Sequence, residues 1–312
     1  MTTPLRPMST GEILDRTFNL YRNNFALFAG IGALPAGLLL IVQLIQSGMV
    51  ASVRTPGHPQ RVDAGLLAAG GIGIFFAVIA YMIGLAVAHG ATVFAVSAVH
   101  LERTTTIGES YGRLRGRYGR VVWVIVQSSL RAFWPAAVLF MIAAICAGVM
   151  RAAKSGGASV MFGIFMFLAL VAFVVGIFLY LRYALAVAAC VVEDIKASAA
   201  IKRSIFLSAG CRGQIVLIYF LVGIINSIVT WVFTIPAVLV AGLVAKGSPA
   251  LATLFTGLAS FLAATLAGPI ITIALSLVYF DQRVRKEAFD LQLMMAAVDG
   301  TPPPSAQAAS VG

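Results

Sequence analysis

The sequence predicts an all-α membrane protein, a polytopic bundle of six transmembrane helices built from three repeats. Each predicted repeat is an interfacial amphipathic helix followed by two spans. Three observations support this prediction: a strongly apolar composition, six apolar runs of membrane-spanning length, and a proline-containing hexapeptide that returns at an even interval. We expect a single integral membrane domain over residues 1–299 and a disordered tail over 300–312, where Pro, Ser and Ala dominate.

Composition places the chain in the membrane class. Hydrophobic residues make up 60% of its 312 residues, and charged residues only 11%. A soluble domain has about 45–50% apolar and about 25% charged residues. Because so little polar surface cannot cover a folded chain of this size in water, we exclude a soluble globular protein.

Six apolar runs are long enough to cross a bilayer. A helix rises about 1.5 Å per residue, so it needs roughly 20 residues to cross a hydrocarbon core of about 30 Å. Several runs exceed that length, which indicates tilt or extension beyond the hydrocarbon. The runs cover residues 25–46, 65–99, 121–150, 160–192, 215–245 and 251–280.

Three of the runs share a similar hexapeptide: LPAGLL, WPAAVL and IPAVLV. Its prolines, Pro35, Pro135 and Pro236, are 100 and 101 residues apart. A fixed period indicates one structural unit used three times. Each proline is also a predicted kink in its helix. The repeats are expected at about 5–102, 103–194 and 195–293.

A short amphipathic segment precedes the first span of each repeat. Ser9 with Glu12, and Thr106 with Glu109, have the spacing of a capping box, in which a hydroxyl and a carboxylate satisfy free amides at a helix start. Apolar and charged residues then separate onto opposite faces, which is typical of helices in the membrane interface. In the second copy the apolar face is expected to run from Ile107 through Tyr118. A weaker copy covers 198–206, and a seventh amphipathic piece is predicted at 280–293.

The placement of basic residues predicts the orientation. Fifteen of the 22 Lys and Arg residues lie in the segments that share a side with the two termini, and five lie in the other loops. The positive-inside rule therefore places both termini in the cytoplasm. The net charge of +11 is explained by basic loops that face anionic lipid, so no nucleic-acid partner is expected.

No catalytic or metal site is predicted, and no cofactor. Metal-assisted hydrolysis needs clustered carboxylates and usually histidines. The 11 acids are scattered over loops, interfacial segments and the tail, and the three histidines have no ligand partner at helical spacing. No two of the three cysteines have the spacing of a CxxC pair.

Two arginines, Arg131 and Arg182, lie inside apolar runs, where a bare charge is costly. One interpretation is that these helices are longer than the bilayer is thick, so that both arginines lie at the inner boundary beside headgroups. The other is that both face a cytoplasm-open cavity and bind an anion such as a lipid phosphate.

Four polar residues could line that cavity or simply join helices by hydrogen bonds: Gln127, Ser128, Asn226 and Ser227.

Three segments resemble the membrane region of bacterial proteins of the glycerophosphoryl diester phosphodiesterase membrane-domain family. They are the opening at 5–18, LRPMSTGEILDRTF, the stretch 182–193, and the closing stretch 279–291, YFDQRVRKEAFDL. The resemblance implies a multi-pass protein of the bacterial cytoplasmic (inner) membrane. In the enzymes that name the family, a soluble catalytic barrel accompanies this region, and no segment of that length lies outside the apolar runs here.

We therefore expect a non-catalytic membrane component that organises lipids or a membrane or cytoplasmic protein partner, with anionic headgroups as its main ligands. The alternative is a transporter of a small solute or a lipid, in which the repeats are the moving elements. Transporter repeats are usually inverted or two-fold, and three parallel units fit that pattern less well.

Overall fold

A computed structural model describes residues 8–53, 64–101, 103–153, 156–244 and 248–287 of the protein. These residues are almost entirely helical, and no strand occurs among them. The helices are α1 (Thr10–Asn23), α2 (Phe25–Val53), α3 (Ala64–His100), α4 (Ile107–Gly112), α5 (Tyr118–Ala153), α6 (Gly156–Tyr180), a 3₁₀ turn (Leu181–Tyr183), α7 (Ala186–Val192), α8 (Ala197–Ser208), α9 (Arg212–Val244) and α10 (Pro249–Glu287).

Six helical segments of the described chain are long and apolar enough to cross a membrane, which confirms the predicted all-α membrane class. Each coincides with one of the six apolar runs. The helix continues through Pro35, Pro135 and Pro236, and α10 contains a further proline, Pro269. The segments are Phe25–Ser47, Gly71–His100, Tyr118–Val149, Val160–Val192, Arg212–Val244 and Ala250–Glu287.

The start of α1 has both halves of the predicted capping box. The Ser9 hydroxyl accepts a hydrogen bond from the Glu12 amide at 3.3 Å, and the Glu12 carboxylate accepts one from the Ser9 amide at 2.7 Å. At α4 the Thr106 hydroxyl accepts from the Glu109 amide at 3.2 Å. The hydroxyl half of the motif is therefore present at both positions.

The second amphipathic helix is shorter than predicted. We expected one helical face to continue through residue 118, but α4 ends at Gly112 and the chain turns before α5 begins. Gly116 adopts φ +83°, a left-handed conformation that glycine takes without steric cost. The Tyr111 hydroxyl still anchors α4 by donating to the Ile31 carbonyl of α2 at 2.8 Å, and burial raises the pKa of Tyr111 to about 12.

The other two amphipathic segments and the ends of the chain differ in how far the structure describes them. The weaker copy forms α8. The seventh piece is continuous with α10 up to Glu287, and its remainder lies outside the described residues, as do the predicted tail region and the end of the 1–299 domain. The threefold repeat as a whole stays a prediction.

The main hydrophobic core lies at one end of the bundle, where α1, α4, α7 and α8 pack among the spans. We call this the basal end. α10 is central to the bundle and packs against α2 and α9. α5 and α6 form a hairpin whose helices contact mainly each other. Away from the basal end many large apolar side chains are exposed, as expected for surfaces that face lipid. The fully buried large side chains include Phe28, Ile31, Leu185, Ile201, Leu207, Ile273 and Tyr279.

Candidate functional site

The fourth span is interrupted near the basal end. α6 ends at Tyr180, and a 3₁₀ turn separates it from α7. Two backbone groups at this break form hydrogen bonds with side chains of α8. The Arg182 carbonyl accepts from the hydroxyls of Ser204 and Ser208, at 2.9 and 3.2 Å, and the Leu185 amide donates to the Ser204 hydroxyl at 3.2 Å. Polar backbone at membrane depth requires such partners within the protein.

Arg182 itself lies in the interruption and lacks a complete set of partners. The residue is half-buried, and its Nε atom is buried without a hydrogen-bond partner. No ion pair involves Arg182 within the described part of the chain. A guanidinium in this setting is stabilised by an anion that accepts from its fork of N–H groups.

Arg131 lies at a different height in the bundle. Its neighbour Ala132 is opposite Gly176 of α6, because a Cβ on Gly176 would lie 2.9 Å from the Ala132 carbonyl oxygen. Gly176 precedes Arg182 by six residues, about 9 Å along a helix. The Arg131 side chain is exposed. That the two arginines bind one anion stays a prediction.

The four predicted polar residues differ in burial, and that they line one cavity stays a prediction. Ser128 is buried and donates to the Val124 carbonyl of its own helix at 2.7 Å, and Gln127 has a buried Oε1 without a partner. Asn226 and Ser227 are exposed on α9, and Ser227 donates to its own helix. The hydroxyls of Ser128 and Ser227 therefore form hydrogen bonds within their own helices rather than between helices.

A network of charged groups joins α7, α8 and α10 at the basal end. Arg203 Nε donates to both carboxylate oxygens of Glu193, at 2.9 and 3.1 Å, and Arg203 Nη2 donates to Glu287 at 2.6 Å. The buried Tyr279 hydroxyl donates to Glu193 at 2.6 Å. Burial by itself lowers the pKa of Arg203, but its hydrogen bonds to Glu287 and Glu193 outweigh that effect and hold the pKa above the usual range.

A second polar cluster ties the chain start to the end of α10. The buried Asp281 accepts from the Met8 amide at 2.6 Å and from Arg285 Nε at 2.8 Å, and Arg285 also donates to the Met8 carbonyl. Nearby, Arg16 Nη2 lies 3.3 Å from His100 Nδ1. Because a guanidinium only donates, this contact makes His100 Nδ1 the acceptor and fixes the ring in its neutral form.

A cavity of about 390 Å³ opens at the basal end between the end of α3, α4, the start of α5 and the end of α7. We call it the basal cavity. Neither Arg131 nor Arg182 lines it. Its ionisable lining residues are Arg103, Glu109, Arg113, Arg117, Arg120 and Asp194, together with the thiol of Cys190.

Sequence reasoning missed both the network around Glu193 and the basal cavity. The signals were present: acids recur at the ends of the even-numbered spans, and arginines are dense between residues 103 and 120. The positive-inside rule explains the arginines, and the recurring acids fit the repeat, so neither pattern by itself points to a site. No group of three or more His, Cys, Asp or Glu residues that could hold a metal ion occurs within the described ranges.

The resemblance to the phosphodiesterase membrane-domain family depends on the three sequence segments alone. Neither the separate catalytic barrel nor a family-specific ligand can be carried over from it. Comparison of the chain with family models, with curated proteins and with solved structures found no match.

Proposed function

We propose that this chain is a non-catalytic membrane component that binds anionic lipid at the basal end of its bundle and thereby organises lipids or a partner protein. The observation that carries the proposal is the position of Arg182, which lies in the interrupted fourth span with a buried and unpartnered Nε. The family resemblance favours a role in glycerophosphodiester or lipid metabolism at the bacterial inner membrane.

A lipid phosphate is the anion that best fits this position. It is abundant at the membrane boundary, and its oxygens match the guanidinium fork, which can bind a phosphate through two parallel hydrogen bonds. A carboxylate partner would come from an acid at the basal end. Glu193 and Glu287 are already bound to Arg203, Asp281 to Arg285, and Asp194 to Arg117 and Arg120.

Replacing Arg182 by Leu should strongly reduce the anionic lipid that stays with the purified protein, because the guanidinium is the proposed ligand. Lys should keep only part of it, since an ammonium lacks the planar fork. Native mass spectrometry of the detergent-purified protein would measure the retained lipid. Arg131→Leu tests whether the two arginines share one lipid.

The control for this experiment is Arg212→Leu, which removes an exposed arginine at the start of α9. Unchanged lipid retention in that variant, beside a loss in Arg182→Leu, supports a specific site. Simple snorkelling to headgroups would instead let Lys replace Arg without loss. Equal retention by Arg182→Leu and the wild type would contradict the proposal.

A transporter is the second candidate, and the interrupted fourth span favours it. Discontinuous helices often form substrate sites in transporters. The α5–α6 hairpin, whose helices contact mainly each other, is the element best suited to move against the rest. Flux of a fluorescent lipid or of a solute into protein-containing vesicles, absent from protein-free vesicles, would favour this candidate over the first.

We further propose that the basal end faces the cytoplasm, as do both termini, because 15 of the 22 basic residues lie on that side. In a variant with the three native cysteines replaced by Ala, a membrane-impermeant maleimide added outside intact cells should label a cysteine at position 54 or 154. It should not label one at Arg113 until the membrane is opened. The reverse labelling would refute this orientation.

A further inference from the structure

The basal cavity has an excess of positive charge. Four guanidiniums and two carboxylates line it, which leaves two positive charges uncompensated among the described lining residues. Arg103 and Arg113 are exposed and take part in no ion pair within the described chain. Like charges that line one cavity repel one another, so an arrangement of this kind is stabilised by a bound anion.

Asp194 is the partner of two of the four arginines. Its two carboxylate oxygens contact Arg117 Nη2 at 2.9 Å and Arg120 Nη2 at 2.7 Å, and Arg120 Nη1 also donates to the Asp194 carbonyl at 3.0 Å. The residue adopts φ +52°, a left-handed conformation that is uncommon outside glycine. One carboxylate thus holds two arginines at the cavity wall, and among the described residues no acid forms an ion pair with the other two.

The rest of the lining is divided between polar and apolar groups. The end of α3 and the segment that follows it contribute the hydroxyls of Ser97, Thr104 and Thr105, which can donate to an oxyanion. Phe94 and Leu101 contribute apolar walls. The cavity volume lies within the range of about 300–1,000 Å³ that is typical of small-molecule sites.

We infer that the basal cavity is a binding site for a phosphate-bearing anion, in which Arg103 and Arg113 supply the free guanidiniums. The same chemistry fits a lipid headgroup phosphate that enters from the bilayer and a free phosphate that enters from water. Arg182 does not line this cavity, so the inference goes beyond the proposed function and does not depend on it.

Two probes distinguish the two sources. The full chain in a non-ionic detergent is titrated with inorganic phosphate and, separately, transferred into phosphatidylcholine nanodiscs that contain phosphatidic acid. Binding of inorganic phosphate identifies a site open to free anions, and retention of phosphatidic acid alone identifies a lipid site. Absence of binding in both experiments would overturn the inference.

Arg103→Gln and Arg113→Gln should each weaken binding about ten- to a hundredfold, because each removes a charge-assisted hydrogen bond from the site. Neither side chain takes part in a described ion pair, so neither substitution breaks one. Glu109→Gln should tighten binding, since it removes a negative charge from the cavity and keeps a residue type that suits the capping position.

Arg212→Gln is the matched control, because this exposed arginine lies outside the cavity. It should bind the same probe as tightly as the wild type. An equal loss in Arg212→Gln and Arg113→Gln would show non-specific attraction and overturn the inference. Loss of lipid in Arg182→Leu with unchanged binding in Arg103→Gln and Arg113→Gln would also overturn it, while the proposed function would stand.

Discussion

Replacing Glu193 by Ala is expected to lower the free energy of unfolding by about 3 kcal/mol, the lower end of the range for breaking a buried ion pair. Glu193 accepts from Arg203 and from the Tyr279 hydroxyl, so its loss leaves a cation short of a partner and a buried hydroxyl unsatisfied. The effect lies at the lower end because Arg203 keeps Glu287 and its side chain is 25% exposed.

Reversible unfolding in mixed micelles would measure this change. Asp15→Ala is the control, because Asp15 is an exposed acid on α1 and its truncation should change the stability little. A Glu193→Ala protein as stable as the Asp15→Ala protein would show that the network does not hold α7, α8 and α10 together.

Replacing Gly32 by Val is expected to lower the stability by about 1–3 kcal/mol or to prevent folding, because α2 and α10 cross with no room for a side chain. A Cβ at Gly32 would lie 2.9 Å from the Thr265 carbonyl oxygen and 3.0 Å from the Pro269 ring. Backbone and a proline ring cannot swing aside, so the two helices would have to separate.

The control for this substitution is Gly223→Val on α9. Gly223 is also helical and is exposed, and no atom of another helix lies within 4 Å of the position that its Cβ would take. Its Val variant carries the same change in helix propensity without the clash. The midpoint temperature of thermal unfolding and the amount of protein in the membrane fraction should therefore be lower only for Gly32→Val. Equal values for the two variants would refute the close crossing.

The features that the sequence predicted are those set by local chemistry or by the bilayer. Six spans follow from run length and apolarity, since the membrane allows few other solutions. The helix starts at Ser9 and Thr106 were predictable because a capping residue acts on amides two or three positions away. The early end of α4 depended on Gly112 and Gly116, which are compatible with helix or turn until the surrounding packing decides between them.

The missed features need residues that are distant in the sequence. The residues around Arg182 have the pattern of a continuous helix, and the break exists because Ser204 and Ser208 satisfy the Arg182 carbonyl from another helix. The Glu193 network likewise requires Arg203 and Tyr279 to converge from separate helices. A single sequence contains the acids and arginines but not their pairing.

The contacts between the first and last helices have a consequence for biogenesis. The Met8 amide binds Asp281, and the Tyr21 hydroxyl donates to the Leu266 carbonyl at 2.8 Å. α10 also supplies the main packing surface for α2. More than 200 residues separate these partners in synthesis order, which corresponds to a delay on the order of tens of seconds at the ribosome. α2 is therefore in the bilayer with an incomplete interface until α10 is synthesised, and lipid or the insertion machinery must cover that interface in the meantime.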